Sequence, residues 1–156
     1  MENETLTSHF RKVTLGGPQT TDDVIRHLKE SGFFFVSEDI NQRNFPLKPH
    51  EIEDIQIEII DPGCEFSEME GIKFLETAGL ERPTYEHALR FAEQYGNTTT
   101  GKKPFIVFLH EPWIDKYRNR RVLFIYRNPD KRVLNLDYTG LVFRHGRVLA
   151  GIRPRN

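Results

Sequence analysis

The chain has 156 residues, with 22 Lys and Arg against 23 Asp and Glu and a formal charge of −1, which fits one domain rather than two. Hydrophobic residues at 37% and aromatics at 12%, twelve of the latter Phe, supply enough core material to exclude intrinsic disorder. A lone cysteine, Cys64, excludes an internal disulfide and a four-thiolate zinc site.

The opening MENETLTSHFRK is polar, and nowhere is there an uninterrupted run of about 18 apolar residues. These features predict a cytoplasmic or host-delivered protein with no signal peptide and no membrane insertion. Charge is unevenly spread: residues 101–156 sum to about +9 and residues 1–100 to about −10. Such a split means either that the basic part meets an anion or that the two parts face each other within one fold.

In chain order, residues 1–19 read as a flexible leading segment ending in Gly16-Gly17-Pro18. The domain proper is expected over 20–156. Thr20 or Thr21 caps a short helix with Asp22 and Asp23 in its first turn, an apolar face of Val24, Ile25 and Leu28, and a stop at Gly32. Residues 33–36 suit a buried strand, and 37–50 a loop. Ile55, Ile57 and Ile59 alternate with polar residues before Asp61-Pro62-Gly63, which predicts a half-buried strand and a turn.

Ser67 and Glu70 have the spacing of a capping box, opening a helix that buries Met69, Ile72, Phe74 or Leu75 and stops at Gly79. Thr84 caps another, in which Tyr85, Ala88, Leu89, Ala92 and Tyr95 recur at three-to-four spacing. The two are expected to form a helical hairpin, followed by a polar loop over 97–103. From Pro104 the period changes to four β-branched and aromatic runs, 105–109, 122–126, 133–138 and 148–152, with connections too short for crossover helices. An antiparallel sheet follows, with Asn128-Pro129-Asp130 turning the middle pair and Asn135 and Asp137 together on its wet face. The fold class is α+β: short helices packed on an antiparallel sheet.

Chemistry-bearing patterns are sparse. His110-Glu111-Pro112-Trp113 looks like an active-site corner, yet Pro ends a strand because it has no N–H to donate, and a neighbouring Trp packs over a sheet edge. Asp137 and His145 have no metal-ligand spacing relative to His110, and nothing places a base near Cys64. No Gly-rich phosphate loop, GxSxG elbow or HExxH occurs. No cofactor is expected. Residues 114–147 instead concentrate Tyr, Asn, Asp, Arg and His in turns and at outward strand positions. That is the composition of a binding surface: Tyr offers wide contact at low entropic cost, Arg offers forked donors, and Asn and Asp adapt their hydrogen bonding.

The strings GLERPTYEHALRFAEQYG, KKPFIVFLHEPW and VLAGIRPR resemble small candidate-phylum bacterial proteins, which in turn resemble the C-type-lectin-fold variable proteins of diversity-generating retroelements. The resemblance implies a lectin-like scaffold whose C-terminal portion is rewritten by adenine-directed mutagenesis. Its variable positions here would be Tyr117, Asn119, Tyr126, Asn128, Asn135, Asp137, Tyr138, Phe143 and His145. Glu111-Pro112-Trp113 and Asn135-Leu136-Asp137 only faintly echo the motifs through which such lectins bind sugar with calcium.

The expected function is non-enzymatic binding of a protein or glycan ligand by the segment from Trp113 to Arg147. The alternative is nucleic-acid binding through the basic residues of 116–147, with Arg118, Arg120, Arg121, Arg127, Lys131 and Arg132 on phosphates and Tyr117 or Tyr126 stacking on bases.

Overall fold

A computed structural model describes residues 9–33, 35–95, 105–128 and 131–155. Strand β1 (His9–Gly17) leads into helix α1 (Thr21–Glu30), strand β2 (Phe35–Val36) and the long strand β3 (His50–Ile60). Helices α2 (Glu68–Thr77) and α3 (Tyr85–Tyr95) follow, then strands β4 (Phe105–Val107), β5 (Trp113–Ile114), β6 (Arg120–Asn128), β7 (Lys131–Tyr138) and β8 (Arg147–Ile152). The α+β class holds. All eight strands join one sheet in the order β1-β3-β8-β4-β6-β7-β2, with β5 on β6.

Both early helices start as their sequences dictate. Thr20 and Ser67 accept from the backbone of Asp23 and Glu70, whose carboxylates bond back to the cap N–H groups. Each such cap is worth about 1 kcal/mol.

Three expectations are corrected. Residues 9–17 are not a flexible leader but an edge strand, paired with β3 from His9↔Ile59 to Gly17↔His50. Val13 and Leu15 are buried between polar neighbours, a two-residue period too short to stand out among Arg11, Lys12 and Thr14. The sheet is mixed rather than antiparallel, since β8 returns past β7 to lie parallel to β4, and β2 lies parallel to β7. The helices α2 and α3 do not form a hairpin; they lie on opposite faces.

The faces follow from the pleat, which sends successive side chains to opposite sides. Ile106, Leu123, Ile125, Leu134, Leu136, Val148 and Ala150 point toward α1 and α3, meeting Leu28, Leu89 and Phe91 in the larger core. Val107, Val122 and Leu149 point the other way, toward Leu75 of α2, Phe66 and Phe143. Here α2 approaches so closely that a Cβ on Gly151 would lie 2.8 Å from Leu75 and Leu80. Met69, expected in this core, is 77% exposed, because the sheet-facing positions of α2 are Gly71 and Leu75. Truncating a fully buried residue such as Leu89 to Ala costs about 3 kcal/mol.

Part of the charge split is met inside the fold. Arg120 pairs with Glu68 at 3.1 Å, Arg155 with Glu53 at 3.4 Å, and Arg153 with the buried Glu58, each joining the basic and acidic parts. The polar loop expected over 97–103 and the turn at 129–130 lie outside the described residues, although Asn128↔Lys131 closes the β6–β7 pair as a hairpin. No helix among the described residues is long and apolar enough to cross a membrane.

Candidate functional site

After Val36 the chain leaves the sheet, and the gap between its loop and β7 forms a cleft of about 580 Å³. The loop side is Asp39, Asn41, Arg43 and Asn44; the sheet side is Trp113 and Ile114 of β5, Arg121 of β6 and Tyr138 of β7; Asp115, Lys116 and Tyr117 form the far rim.

The loop is fastened from within. Asn44 Nδ2 donates to the Asp39 carbonyl at 2.9 Å, Asn41 Oδ1 accepts from the Asn44 N–H at 2.9 Å, and Gln42 Oε1 accepts from the Thr21 N–H at 2.6 Å. Ile40 and Phe45 are buried beneath it, and Phe45 meets Trp113 with ring centroids 5.5 Å apart. Tertiary contacts of this kind hold a loop in one shape where its composition alone would not.

The opposite rim is built by Asp115. Its Oδ1 accepts from the backbone N–H of Tyr117 at 2.8 Å and of Asn119 at 2.9 Å, and its own N–H donates to the Asn119 carbonyl at 3.0 Å. Arg118 takes φ = 68° to close the turn. Burial pushes the Asp115 carboxyl up, but the backbone bonds from Asn119 and Tyr117, the Asn119 side chain and Arg121 outweigh it and hold it below the ordinary carboxylate range. Asn119 is therefore a brace of the hairpin, and Tyr117, 73% exposed, stands beyond it.

Arg121 occupies the centre. Its side chain is only 17% exposed, its guanidinium lies 4.8 Å from the Tyr138 ring centroid, and its nearest carboxylates, Asp39 and Asp115, are each 3.8 Å away. Nη2 donates to the Leu136 carbonyl at 3.3 Å, while the buried Nε has no hydrogen-bond partner among the described residues. A guanidinium carries five donors, so this one is incompletely satisfied.

Of the residues expected to bind, Trp113, Tyr117 and Tyr138 meet at this cleft. The others do not join them. Tyr126, Asn135 and Asp137 lie on the opposite face, where Tyr126 packs 4.5 Å from Phe105, itself covered by the Arg147 guanidinium. His145 is exposed in the turn before β8, and the side chain of Asn128 lies outside the described residues.

Phe143 is a correction. It is 2% exposed and stacked on Phe66 at 5.3 Å, because the segment after β7 bridges back to residue 66 and buries it under α2. The loop residues Asp39, Asn41, Arg43 and Asn44 escaped the sequence reading, although they share the same Asn/Asp/Arg composition some seventy residues upstream.

The His110-Glu111 corner has a structural explanation. His110 is buried; its Nδ1–H donates to the Glu111 carbonyl at 2.7 Å and its Nε2 accepts from the Leu123 N–H at 2.9 Å. Burial holds its pKa down at about 4; the Glu111 bond opposes that shift and Arg82 reinforces it. Both ring nitrogens are thus committed to backbone, and the Glu111 carboxylate turns outward to Arg82 at 3.5 Å.

Of the basic residues considered for phosphate contact, Arg120 is held by Glu68 and Arg121 by the cleft, and Arg132 lies over Phe33 and donates to the Ser31 carbonyl. No group of three or more His, Cys, Asp or Glu among the described residues is placed to hold a metal ion. Comparison with known proteins finds no match among family models, curated proteins or solved structures.

Proposed function

We propose that this chain is a non-enzymatic binding protein whose contact surface is the cleft between the 39–44 loop and the β5–β6 hairpin. The observation that carries the reading is convergence: Trp113, Tyr117 and Tyr138 reach one cleft around an arginine whose donors are only partly used. Aromatic anchors beside an Arg are the groups that dominate measured binding energies.

The test is an NMR titration with a mixed set of aromatic acids, amides and oligosaccharides. Shifts are expected to concentrate on the Trp113 indole and the Arg121 Nε–H, and to vanish in Tyr117→Ala/Tyr138→Ala. That variant should melt within about 2 °C of the parent, since both rings are substantially exposed. A response centred on His110 and Arg82, or on Tyr126 and Phe105, would overturn the assignment.

The lectin-like likeness and sequence diversification belong to the same proposal. They are supported by the resemblance of three strings and by the exposure of Tyr117, Tyr138 and His145. A near-copy of the 3′ coding end beside a reverse-transcriptase gene is expected; a coding region without one would remove diversification and leave the cleft standing.

A further inference from the structure

Among the described residues, no strand lies on the outer side of the upper half of β7. β2 pairs with it only at Val133 and Leu134, and the last bond runs from the Ser37 N–H to the Leu134 carbonyl at 3.0 Å. The Ser37 carbonyl then turns away to accept from the Ile40 N–H at 3.1 Å.

In an antiparallel pair, alternate residues send both backbone groups to the same side. The Thr139 N–H bonds the Arg120 carbonyl of β6, so Leu134, Leu136 and Tyr138 direct theirs outward. The Leu136 N–H donates to Asn135 Oδ1 at 2.8 Å, the Tyr138 N–H donates to Asp137 Oδ1 at 3.0 Å, and the Leu136 carbonyl accepts from Arg121 Nη2 at 3.3 Å. Three side-chain atoms stand where a neighbouring strand would stand. Two belong to the residue immediately before the amide they cover, so breaking them disturbs no other element.

This edge opens onto the cleft, because Arg121 and Tyr138 belong to both. Arg43, Lys116 and Arg121 line the cleft against Asp39 and Asp115, and the Asp115 carboxylate already accepts two backbone bonds. The balance favours an anionic guest.

We propose that the β7 edge at Leu136–Tyr138 docks an extended acidic peptide, which continues the sheet in line with β2 and displaces Asn135 and Asp137 from the two amides. Alternate peptide side chains then fall on the face that carries Trp113, Arg121 and Tyr138. Main-chain bonds supply the affinity and the cleft supplies the selection, the logic of strand addition. The free edge spans about three residues, roughly 10 Å, so a short segment suffices. The proposal rests on the cleft being the binding surface and adds the class of ligand and the backbone groups that hold it.

The test titrates the full chain with acetyl-Glu-Val-Glu-Phe-Glu-Val-amide, its Lys-for-Glu counterpart, a version N-methylated at its central amides, and maltohexaose. The acidic peptide is expected to bind, shifting the Leu136 and Tyr138 amides, and both modified peptides to bind at least about tenfold more weakly. Asn135→Ala/Asp137→Ala should tighten the acidic peptide by about fivefold, because the covering side chains no longer compete. Equal binding of the acidic and N-methylated peptides, or a response to maltohexaose alone, would overturn strand addition while leaving the cleft as the site. Peptide shifts confined to a distant surface would overturn both readings.

Discussion

The two edges of the sheet are closed by opposite means. On β1 the closing groups come from far along the chain: Gln94 of α3 accepts from the Thr14 N–H at 3.0 Å and donates to its carbonyl at 2.8 Å, imitating a neighbouring strand. Arg90 donates to the Gly16 carbonyl at 2.7 Å, and Glu86 accepts from the Gly16 N–H at 3.1 Å. On β7 the closing groups are the preceding side chains, Asn135 and Asp137. An exposed edge invites unwanted pairing wherever it is left bare. Closure by a distant helix is part of the fold and opens only when the fold does; closure by an adjacent residue opens by a single rotation. The first edge is sealed, the second latched.

The largest expected effect breaks the sealed edge. Arg90 is 3% exposed and bonds Gln19, Glu93 and Gly16 together. Arg90→Ala should cost about 3 kcal/mol in denaturant unfolding, because carboxylates and a carbonyl lose their buried partner.

A comparable loss comes with acid. His110, in the interior between the two edges, has a pKa pushed down from 6.5 to about 4. At pH 7 both folded and unfolded chains hold it neutral; below 6.5 the unfolded chain takes up a proton that the folded chain refuses until about 4. Its contribution is therefore full above pH 6.5 and falls by about 3 kcal/mol as the pH drops to 4. Unfolding followed across that window should show the slope; burial holds His87 down at about 4 as well, so His110→Gln should reduce the slope without abolishing it.

Gly16→Ala sharpens the contrast at smaller scale. Gly16 sits at φ = +91° where the β1 register shifts, and an added Cβ would lie 2.3 Å from the Glu51 carbonyl oxygen. Backbone cannot yield as a side chain does, so a loss of about 2 kcal/mol is expected in thermal or denaturant melts.

At the latched edge the effect on stability is smallest. Asn135→Ala/Asp137→Ala should change it by less than about 1 kcal/mol, yet hydrogen exchange at the Leu136 and Tyr138 amides should quicken about fivefold.

What was legible in the sequence was local. Thr20 with Asp23 and Ser67 with Glu70 announce their helices because the capping atoms lie three residues apart. The place of β8 between β3 and β4 was not legible, since nothing local distinguishes a strand that pairs with β7 from one that passes it. At the site, Trp113, Tyr117 and Tyr138 could be chosen by residue type, but the loop carrying Asp39 and Arg43 meets them only through tertiary packing. Asn135 and Asp137 share a face as alternation predicts; that they bend back onto their own strand is set by where β2 stops.

The position of β8 bears on how the molecule is made. Its two neighbours in the sheet, β3 and β4, are bridged among the described residues by residues 147–152. Until that strand is in place the edges of Ile57–Ile60 and Phe105–Val107 are bare, and the two parts of the sheet are held together through helix α3, which packs on both β1 and β6. Loss of Arg147–Ile152 would therefore leave both of these edges exposed to aggregation instead of giving a smaller intact sheet.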